Sequence, residues 1–200
     1  MPKIFNEDDK RIIKENLMKL GLEALENKGY KNASIEDIAR QAGIAKGTFY
    51  SFFQSKEHFY FEIMLSIRDK NRKYLYDFFS SNNSIDRISM ENFLYKRYTE
   101  HKNVYHYFTF DDFNIIFRKM PEQISISSID SITLAADLFT HIPNVNPNMN
   151  NEVVINILHI MGNYAADKGL LSIGSRESTI RFLANSLADY ILKEDSDENI

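Results

Sequence analysis

The chain has 200 residues, of which 44% are hydrophobic and 26% charged, ordinary values for a globular protein that exclude bulk disorder and a long coiled coil. It contains no cysteine, so disulfide scaffolds, thiolate-bound zinc, iron–sulfur clusters and cysteine nucleophiles are excluded. With 24 basic and 28 acidic residues the net charge is −4, which argues against a surface that binds nucleic acid everywhere but not against a local cationic patch.

The sequence shows no targeting signal and no membrane-spanning run. Its first residues, Met1–Asp9, are polar and acidic rather than a basic segment followed by an apolar one. No stretch approaches the roughly 18 uncharged apolar residues that a membrane helix needs. We therefore expect a cytoplasmic protein with no membrane partner.

Apolar residues follow the helical period in almost every segment between breakers, and no segment alternates with period two, so an all-α fold of about nine helices is predicted. The first helix covers about residues 7–27 and ends before Gly29. A short helix follows the N-cap Ser34 and stops at Gly43. The remaining helices are predicted at about 46–53, 55–79, 84–101, 103–118, 122–141, 149–168 and 175–193.

The segment Ser34–Lys56 has the pattern of two short helices joined by a tight turn. Ala39 is small, as a close helix crossing requires, and Gly43 four residues later can adopt the positive φ of the turn. Ile38 and Ile44 flank the turn with apolar side chains that can share one core. This pattern predicts a helix-turn-helix at about residues 33–53.

Charge is divided unevenly along the chain. Residues 1–60 hold 10 of the 24 basic and 9 of the 28 acidic side chains, a net charge of +1 against −5 for the rest. Between residues 38 and 56 there is no acidic residue, and the basic ones are Arg40, Lys46 and Lys56. The pattern predicts one cationic edge on the front of the chain and an acidic body.

Taken together, this front segment resembles the DNA-binding domain of the TetR family of bacterial transcriptional regulators, over about residues 7–65. The resemblance rests on Gly29-Tyr30, Ser34-Ile35-Glu36-Asp37-Ile38-Ala39, Ala42-Gly43-Ile44, Lys46-Gly47-Thr48-Phe49-Tyr50 and Phe52-Phe53-Gln54-Ser55-Lys56-Glu57. It implies a DNA-binding domain at about 1–55 and a helical ligand-binding and dimerisation domain at 56–200. Beyond residue 65 only the layout and length match.

The resemblance also implies which residues contact DNA. The front of the second short helix would enter the major groove, where Gly47 permits close backbone approach and Lys46 and Thr48 reach base edges or phosphates. Ser34, Tyr50 and others would donate hydrogen bonds to phosphates. The implied contact residues are Ser34, Gln41, Lys46, Gly47, Thr48, Tyr50, Ser51 and Lys56.

The last two predicted helices carry more apolar residues than one-sided burial requires. This surplus suggests a four-helix interface between two copies of the chain, the usual arrangement in the family. The predicted interface residues are Val153, Ile157, Met161, Tyr164, Ile180, Leu183, Ala184, Leu187 and Ile191. The alternative is that both helices only cover the core of their own chain. A dimer suits a palindromic operator, because two recognition helices lie about 34 Å apart.

Aromatic residues concentrate in the middle of the chain, where residues 61–120 hold 14 of the 26 Phe and Tyr. Many must be ordinary core residues. The family resemblance nevertheless implies an effector cavity beside the fourth helix, here apolar and aromatic. The predicted lining residues are Phe78, Phe93, Tyr98, His101, Tyr105, Phe108, Asp112 and Phe117.

The leading hypothesis is a homodimeric repressor, released from double-stranded operator DNA when a small effector bound to the body acts through the fourth helix. No cofactor, metal or catalytic residue is predicted: His101 and His106 would lie about 140° apart on a continuous helix, and no phosphate-binding glycine loop or nucleophile elbow occurs. Two alternatives stay open. One is an enzyme or small-molecule-binding protein with an inert helix-turn-helix, and the other is a helical protein-interaction adaptor.

Overall fold

The computed structural model describes residues 6–81, 85–121, 139, 142, 144–167 and 173–192. These residues form eight α-helices and two 3-10 helices and contain no β-strand, which confirms the predicted all-α class. The helices are α1 (Glu7–Asn32), α2 (Ile35–Gln41), α3 (Lys46–Phe52), α4 (Lys56–Ser80), α5 (Arg87–Thr99), the 3-10 helix Val104–His106, α6 (Phe110–Lys119), α7 (Asn151–Ala166), the 3-10 helix Ile173–Ser175 and α8 (Arg176–Ile191).

Two of the predicted helices differ from the structure. The helix predicted at 103–118 is divided, because Thr109 and Asp112 form a reciprocal capping box that starts α6 anew. The helix predicted at 122–141 lies outside the described residues, apart from Phe139. The first helix continues to Asn32, but Gly29 within it has φ +71°, so the regular helix does end there as predicted.

The chain divides into two compact units. The first comprises Met1–Arg68 and Tyr107–Gln123, and the second comprises Asp69–His106 and Ile124–Ile200. The division falls within α4, beyond the domain boundary predicted at residue 55, and it assigns α6 to the same unit as the helix-turn-helix. The boundary between the functional domains stays a prediction.

The first unit has a core rich in aromatic side chains. Phe49, Phe53 and Phe59 are fully buried, and their rings make edge-to-face or tilted contacts with centroids 4.7–5.3 Å apart. Gly21 of α1 makes this packing possible: a Cβ there would lie 2.3 Å from Cζ of Phe59 and 2.6 Å from Cδ1 of Ile63. The close contact of α1 with α4 therefore depends on a residue without a side chain.

The second unit packs α5, α7 and α8 around a second core. Phe78 and Phe93 stack within it with centroids 3.8 Å apart. At the surface, Arg87 of α5 donates hydrogen bonds to Asp189 and Asn185 of α8. None of the described helices is long and apolar enough to cross a membrane.

Candidate nucleic-acid interface

The helix-turn-helix forms as the sequence predicts, and local interactions explain why. The Ser34 side chain accepts a hydrogen bond from the Asp37 amide and caps α2. Gly43 has φ +72°, a conformation that residues with a Cβ rarely adopt, and its amide donates to the Arg40 carbonyl. The Ile44 amide then donates to the Ala39 carbonyl, which closes the turn before α3.

Helix α3 buries one side and exposes the predicted contact residues on the other. Phe49 is fully buried, while Tyr50 is 44% exposed and Thr48 is half-buried. Gly47 is exposed, and a Cβ added to it would meet nothing within 4 Å. Ser51 is exposed and donates its hydroxyl to the Thr48 carbonyl, so it can offer an incoming group only an acceptor.

The predicted cationic edge is partly neutralised by α2. Nζ of Lys46 lies 3.6 Å from Glu36, and Arg40 makes an ion pair of 2.5 Å with Asp37. Counting charge from residue 38 onward missed both carboxylates, which come just before that window in the sequence. Both pairs are solvent-exposed or nearly so, and such pairs are worth about 0–1 kcal/mol, so a phosphate can replace either partner at little cost. Gln41 is exposed.

Lys56 is placed differently from the other predicted contacts. Its ammonium lies 4.7 Å from the centroid of the Tyr30 ring and donates to the Lys31 carbonyl at 3.4 Å. Burial lowers the pKa of Lys56, and the nearby carboxylates of Glu57 and Asp112 partly oppose this. The Lys56 side chain therefore links the start of α4 to the end of α1. Its contact with DNA stays a prediction.

A polar cluster next to Lys56 was not predicted from the sequence. Glu57 is 9% exposed and accepts a hydrogen bond of 2.8 Å from Lys119 of α6, with the Tyr30 hydroxyl 3.5 Å away. Burial alone would raise the pKa of Glu57, but hydrogen bonds from Lys119 and Ser55 hold it below its ordinary value. The cluster links α6 to the start of α4, directly after the helix-turn-helix. The two partners are far apart in the sequence, so no local sequence pattern indicates this pairing.

The residues predicted to line the effector pocket fall into both compact units. In the second unit, Phe78 stacks on Phe93, and the ring of His101 lies 4.4 Å from that of Tyr74. The others in that unit are Tyr98 and Tyr105, and those in the first unit are Phe108, Asp112 and Phe117.

The three in the first unit make structural contacts there, and their contact with a ligand stays a prediction. Phe108 is buried against Tyr30 and Tyr60, and Phe117 packs on Phe113. Asp112 accepts from the Thr109 amide and hydroxyl as the cap of α6. The pocket stays a prediction for all eight residues, five of which lie in the second unit.

The predicted dimer residues of α8 and α7 differ in their burial, and their place in an interface between two copies stays a prediction. Ile180, Ala184, Leu187 and Ile191 are buried in the core of the second unit, as is Met161 of α7, so these five favour the alternative of an intrachain core. Periodicity identified an apolar stripe but could not show which element covers it.

What α7 and α8 expose is a different set of apolar side chains. Ile160 is 60% exposed and Phe182 is 68% exposed, and neither was predicted. Of the predicted interface residues, Val153 is exposed, and Ile157, Tyr164 and Leu183 are half-buried. On α7, Ile160 lies seven residues after Val153 and four before Tyr164, so it shares a face with these predicted residues, whereas on α8 Phe182 lies away from the predicted stripe. Within the described ranges, no group of three or more His, Asp or Glu side chains is arranged to hold a metal ion.

Comparison with known proteins agrees with this geometry. The profile of the family described as bacterial regulatory proteins, tetR family, matches residues 17–63, which span most of α1, the helix-turn-helix and the start of α4. HTH-type transcriptional regulator YvdT of Bacillus subtilis, itself uncharacterized, is 45% identical over 42 residues, and transcriptional regulator AcuR of Cereibacter sphaeroides is 35% identical over 51. These matches cover 21–26% of this chain and 22–23% of the relatives' own length.

Solved structures extend the likeness of fold to nearly the whole chain. A TetR-family transcriptional regulator of Rhodococcus, so described by similarity, aligns with a TM-score of 0.65 and 11% identity, covering 90% of this chain and 98% of that one. NalD of Pseudomonas aeruginosa, the secondary repressor of the MexAB-OprM multidrug efflux pump, gives 0.57 and 17%, covering 93% and 98%. FadR of Bacillus subtilis, solved with stearoyl-CoA, gives 0.53 and 13%, covering 90% and 97%.

The fold and the exposed face of α3 define a helix-turn-helix domain within an all-α protein. Residues 17–63 match the profile of the tetR family of bacterial regulatory proteins, which confirms for this part of the chain the resemblance seen in the sequence.

Proposed function

We propose that the protein is a homodimeric repressor that binds a palindromic operator and is released by a small effector with an apolar or aromatic body. The observation that carries the DNA-binding part is the outer face of α3, where Gly47 and Tyr50 are exposed. Gly47 leaves open space where a duplex backbone can approach closely, and the Tyr50 hydroxyl is positioned to donate to a phosphate.

The remaining parts of the proposal draw support from the fold. Among proteins of the same fold, NalD is named as a repressor and FadR was solved with a bound acyl-CoA, so the architecture suits both repression and ligand binding. In this chain the aromatic side chains of the second unit, including the stacked Phe78 and Phe93, offer an apolar environment for an effector. The proposed role needs no catalytic residue.

Substitutions on α3 test DNA binding. Gly47→Ala places a methyl group in open space, so the thermal midpoint should be unchanged or slightly higher while affinity for the operator falls about tenfold or more through steric exclusion of the backbone. Tyr50→Phe removes one phosphate contact and should cost about 1 kcal/mol, roughly fivefold. Fluorescence anisotropy with a palindromic fragment from upstream of the gene measures both.

The controls separate a DNA effect from a folding effect. Circular dichroism on each variant establishes that the helices persist, and Ile88→Ala, at a side chain 66% exposed on α5, serves as a matched surface substitution. Wild-type affinity in both α3 variants would overturn the assignment of α3 as the recognition helix. Binding that ignores sequence and disappears at moderate salt would leave the adaptor or small-molecule-binding alternatives as better descriptions.

The dimer is proposed to form through the exposed apolar side chains of α7 and α8, which on α7 share a face with the predicted Val153. Ile160 and Phe182 are large apolar side chains that water would otherwise surround. Ile160→Glu should convert the dimer to a monomer in analytical ultracentrifugation at micromolar concentration. Ile88→Glu introduces the same charge at an equally exposed position and should leave the dimer intact. A wild-type monomer at all concentrations would refute this part of the proposal.

A further inference from the structure

Arg97 of α5 lies in the second unit with part of its guanidinium cut off from solvent. Its Nε and Nη1 atoms are buried and have no hydrogen-bond partner among the described residues. Its ring neighbour is Tyr98, with the guanidinium carbon 5.6 Å from the centroid, and a hydrogen bond joins the two side chains. No carboxylate of the described chain lies within ion-pair distance of Arg97.

Two other arginines of this unit have anionic partners, and Arg176, whose Nε is also buried without a hydrogen-bond partner, donates through Nη2 to the Asp167 carbonyl. Arg87 bonds Asp189 and Asn185, and Arg181 pairs with Glu91 at 3.1 Å while lying 3.8 Å from the centroid of the Tyr95 ring. Arg97 as a whole is half-buried, but shielding Nε and Nη1 from water without a counter-charge is costly, because no anion replaces the lost solvation of these atoms. A buried nitrogen without a hydrogen-bond partner needs an explanation, and a ligand that binds there is one such explanation.

The surroundings of Arg97 describe what such a ligand would meet. The Tyr98 hydroxyl is fixed by donating to the Leu158 carbonyl of α7 at 2.8 Å, and the Tyr105 hydroxyl lies 2.8 Å from Nδ1 of His159. The pKa of His159 is lowered, first by burial and second by the positive charge of Arg97. The pKa of Tyr74 of α4, which stacks on Phe93, is raised by burial and then by the nearby carboxylate of Glu100, while the charge of Arg97 partly opposes this. Thus α4, α5 and α7 all face one positive centre bordered by aromatic rings.

We infer that the effector of the proposed repressor is an organic acid with an apolar body, and that Arg97 binds its acidic group. A carboxylate would supply the missing counter-charge and accept from the unpaired guanidinium donors, while the aromatic rings of Tyr74 and Phe93 offer apolar contact to the rest of the molecule. Uncharged effectors would leave the guanidinium unpaired and gain only the apolar part. The inference rests on the proposed function only in treating the ligand as an effector. Binding of an acid at the site can be tested without DNA.

Binding to the full-length chain tests the acid. Decanoate and benzoate are the probes, decanol and benzyl alcohol are their neutral counterparts, and inorganic phosphate is the anion without an apolar body. Isothermal titration calorimetry should show at least one carboxylate binding at least about tenfold more tightly than its alcohol, the loss expected when a charge-assisted hydrogen bond is removed. Equal affinity of acid and alcohol, or no binding of either acid at millimolar concentration, would overturn the inference. Phosphate binding as tight as the acids would also overturn it, because the apolar body would then contribute nothing.

Substitution of Arg97 tests the residue. Arg97→Gln should weaken the carboxylate about tenfold or more and leave the alcohol unchanged, whereas Lys96→Gln, which removes an exposed charge one position away, should change neither. Unchanged carboxylate affinity in Arg97→Gln would refute the assignment. The comparison of acid with alcohol in the wild-type protein does not depend on whether this variant folds.

One further readout would not move if Arg97 were merely structural. Saturating decanoate should raise the pKa of His159, followed by NMR and assigned with His159→Gln, since the positive charge that lowers it is then neutralised. An unmoved His159 pKa with decanoate bound would place the acid elsewhere.

Failure of this inference and failure of the proposed function are distinguishable. If the acids bind at Arg97 but no operator is found, the site stands and the repressor role fails. If the operator is bound and released by a neutral compound that Arg97→Gln does not affect, the role stands and the acid site fails.

Discussion

The two compact units place their polar chemistry in opposite ways. In the first unit the predicted contact groups lie outside on one short helix, α3, over an apolar core of Phe49, Phe53 and Phe59. In the second unit the distinctive polar group, Arg97, is half-buried with Nε and Nη1 shielded from water, and the groups near it come from three helices and a 3-10 turn. The residues of a binding surface can come from one short segment of the sequence, whereas the residues around a partly buried group come from segments that are far apart in the sequence.

The two units also differ in how tightly a helical glycine packs against an aromatic ring. Gly21 of α1 approaches Phe59 so closely that a Cβ would lie 2.3 Å from its ring, whereas at Gly162 of α7 a Cβ would lie 3.2 Å from the ring of Tyr105. Phe59 is fully buried, but Tyr105 is only half-buried. The first contact therefore has nowhere to relax, while the second can yield by a few tenths of an ångström.

The largest expected effect is the difference between alanine substitutions at these glycines. Gly21→Ala should lower the free energy of unfolding of the first unit by about 1–3 kcal/mol, the usual cost of overpacking a dense core. Gly162→Ala should stay within about 1 kcal/mol of the wild type, since the small steric cost is offset by better helix propensity. Hydrogen exchange resolved by peptide assigns each loss of protection to its unit. Equal losses at the two positions would show that the two cores are packed alike.

The next effect is the acid sensitivity of the first unit. Because hydrogen bonds hold the pKa of Glu57 below its ordinary value of 4.5, its stabilisation is complete above that pH and is lost as the pH falls through the lowered value. Lys119→Met should raise the pKa of Glu57 and cost about 1–2 kcal/mol at pH 7, reduced from a fully buried pair because Lys119 is largely exposed.

The control for this effect is Lys73→Met, which breaks an exposed ion pair with Asp77 and should cost at most a few tenths of a kcal/mol. Urea unfolding between pH 3 and 7, with hydrogen exchange to separate the units, measures both variants. A Lys119→Met variant with the same pH profile as the wild type would show that α6 does not hold Glu57 ionised.

Local rules explain what the sequence could predict. Ser34 caps α2 and Gly43 makes the turn because each acts on backbone groups within four residues, so their roles can be read from a short window. Thr109 and Asp112 carried the same kind of signal: a capping box there would have divided the helix predicted at 103–118. Because this capping box was not recognised, the predicted helix continued past the position where α6 begins.

Long-range partners explain what the sequence could not predict. The apolar stripe through Ile180 and Leu187 was correctly identified as a buried surface, but periodicity does not say whether the same chain or a second copy covers it. Phe108 was placed in the sensor for its aromatic character, although it packs on Tyr30 in the first unit. Arg97 was not predicted at all, since an arginine on a helix normally reaches solvent.

The smallest expected effect concerns how much the carboxylate of Glu36 lowers the affinity of the outer face of α3 for DNA. Glu36 lies 3.6 Å from Lys46 and contributes a carboxylate to the first turn of α2. Glu36→Gln should therefore act in two directions: operator affinity should rise about two- to fivefold, because Lys46 is freed and a negative charge near the duplex is lost, while stability should fall by at most about 1 kcal/mol through the helix dipole. Asp37→Asn is the matched control, since Asp37 pairs with Arg40 rather than Lys46. If anisotropy showed Glu36→Gln binding no tighter than the wild type at low salt, Lys46 would not contact DNA, and recognition would rest on the uncharged groups of α3, with Gly47 and Tyr50 foremost.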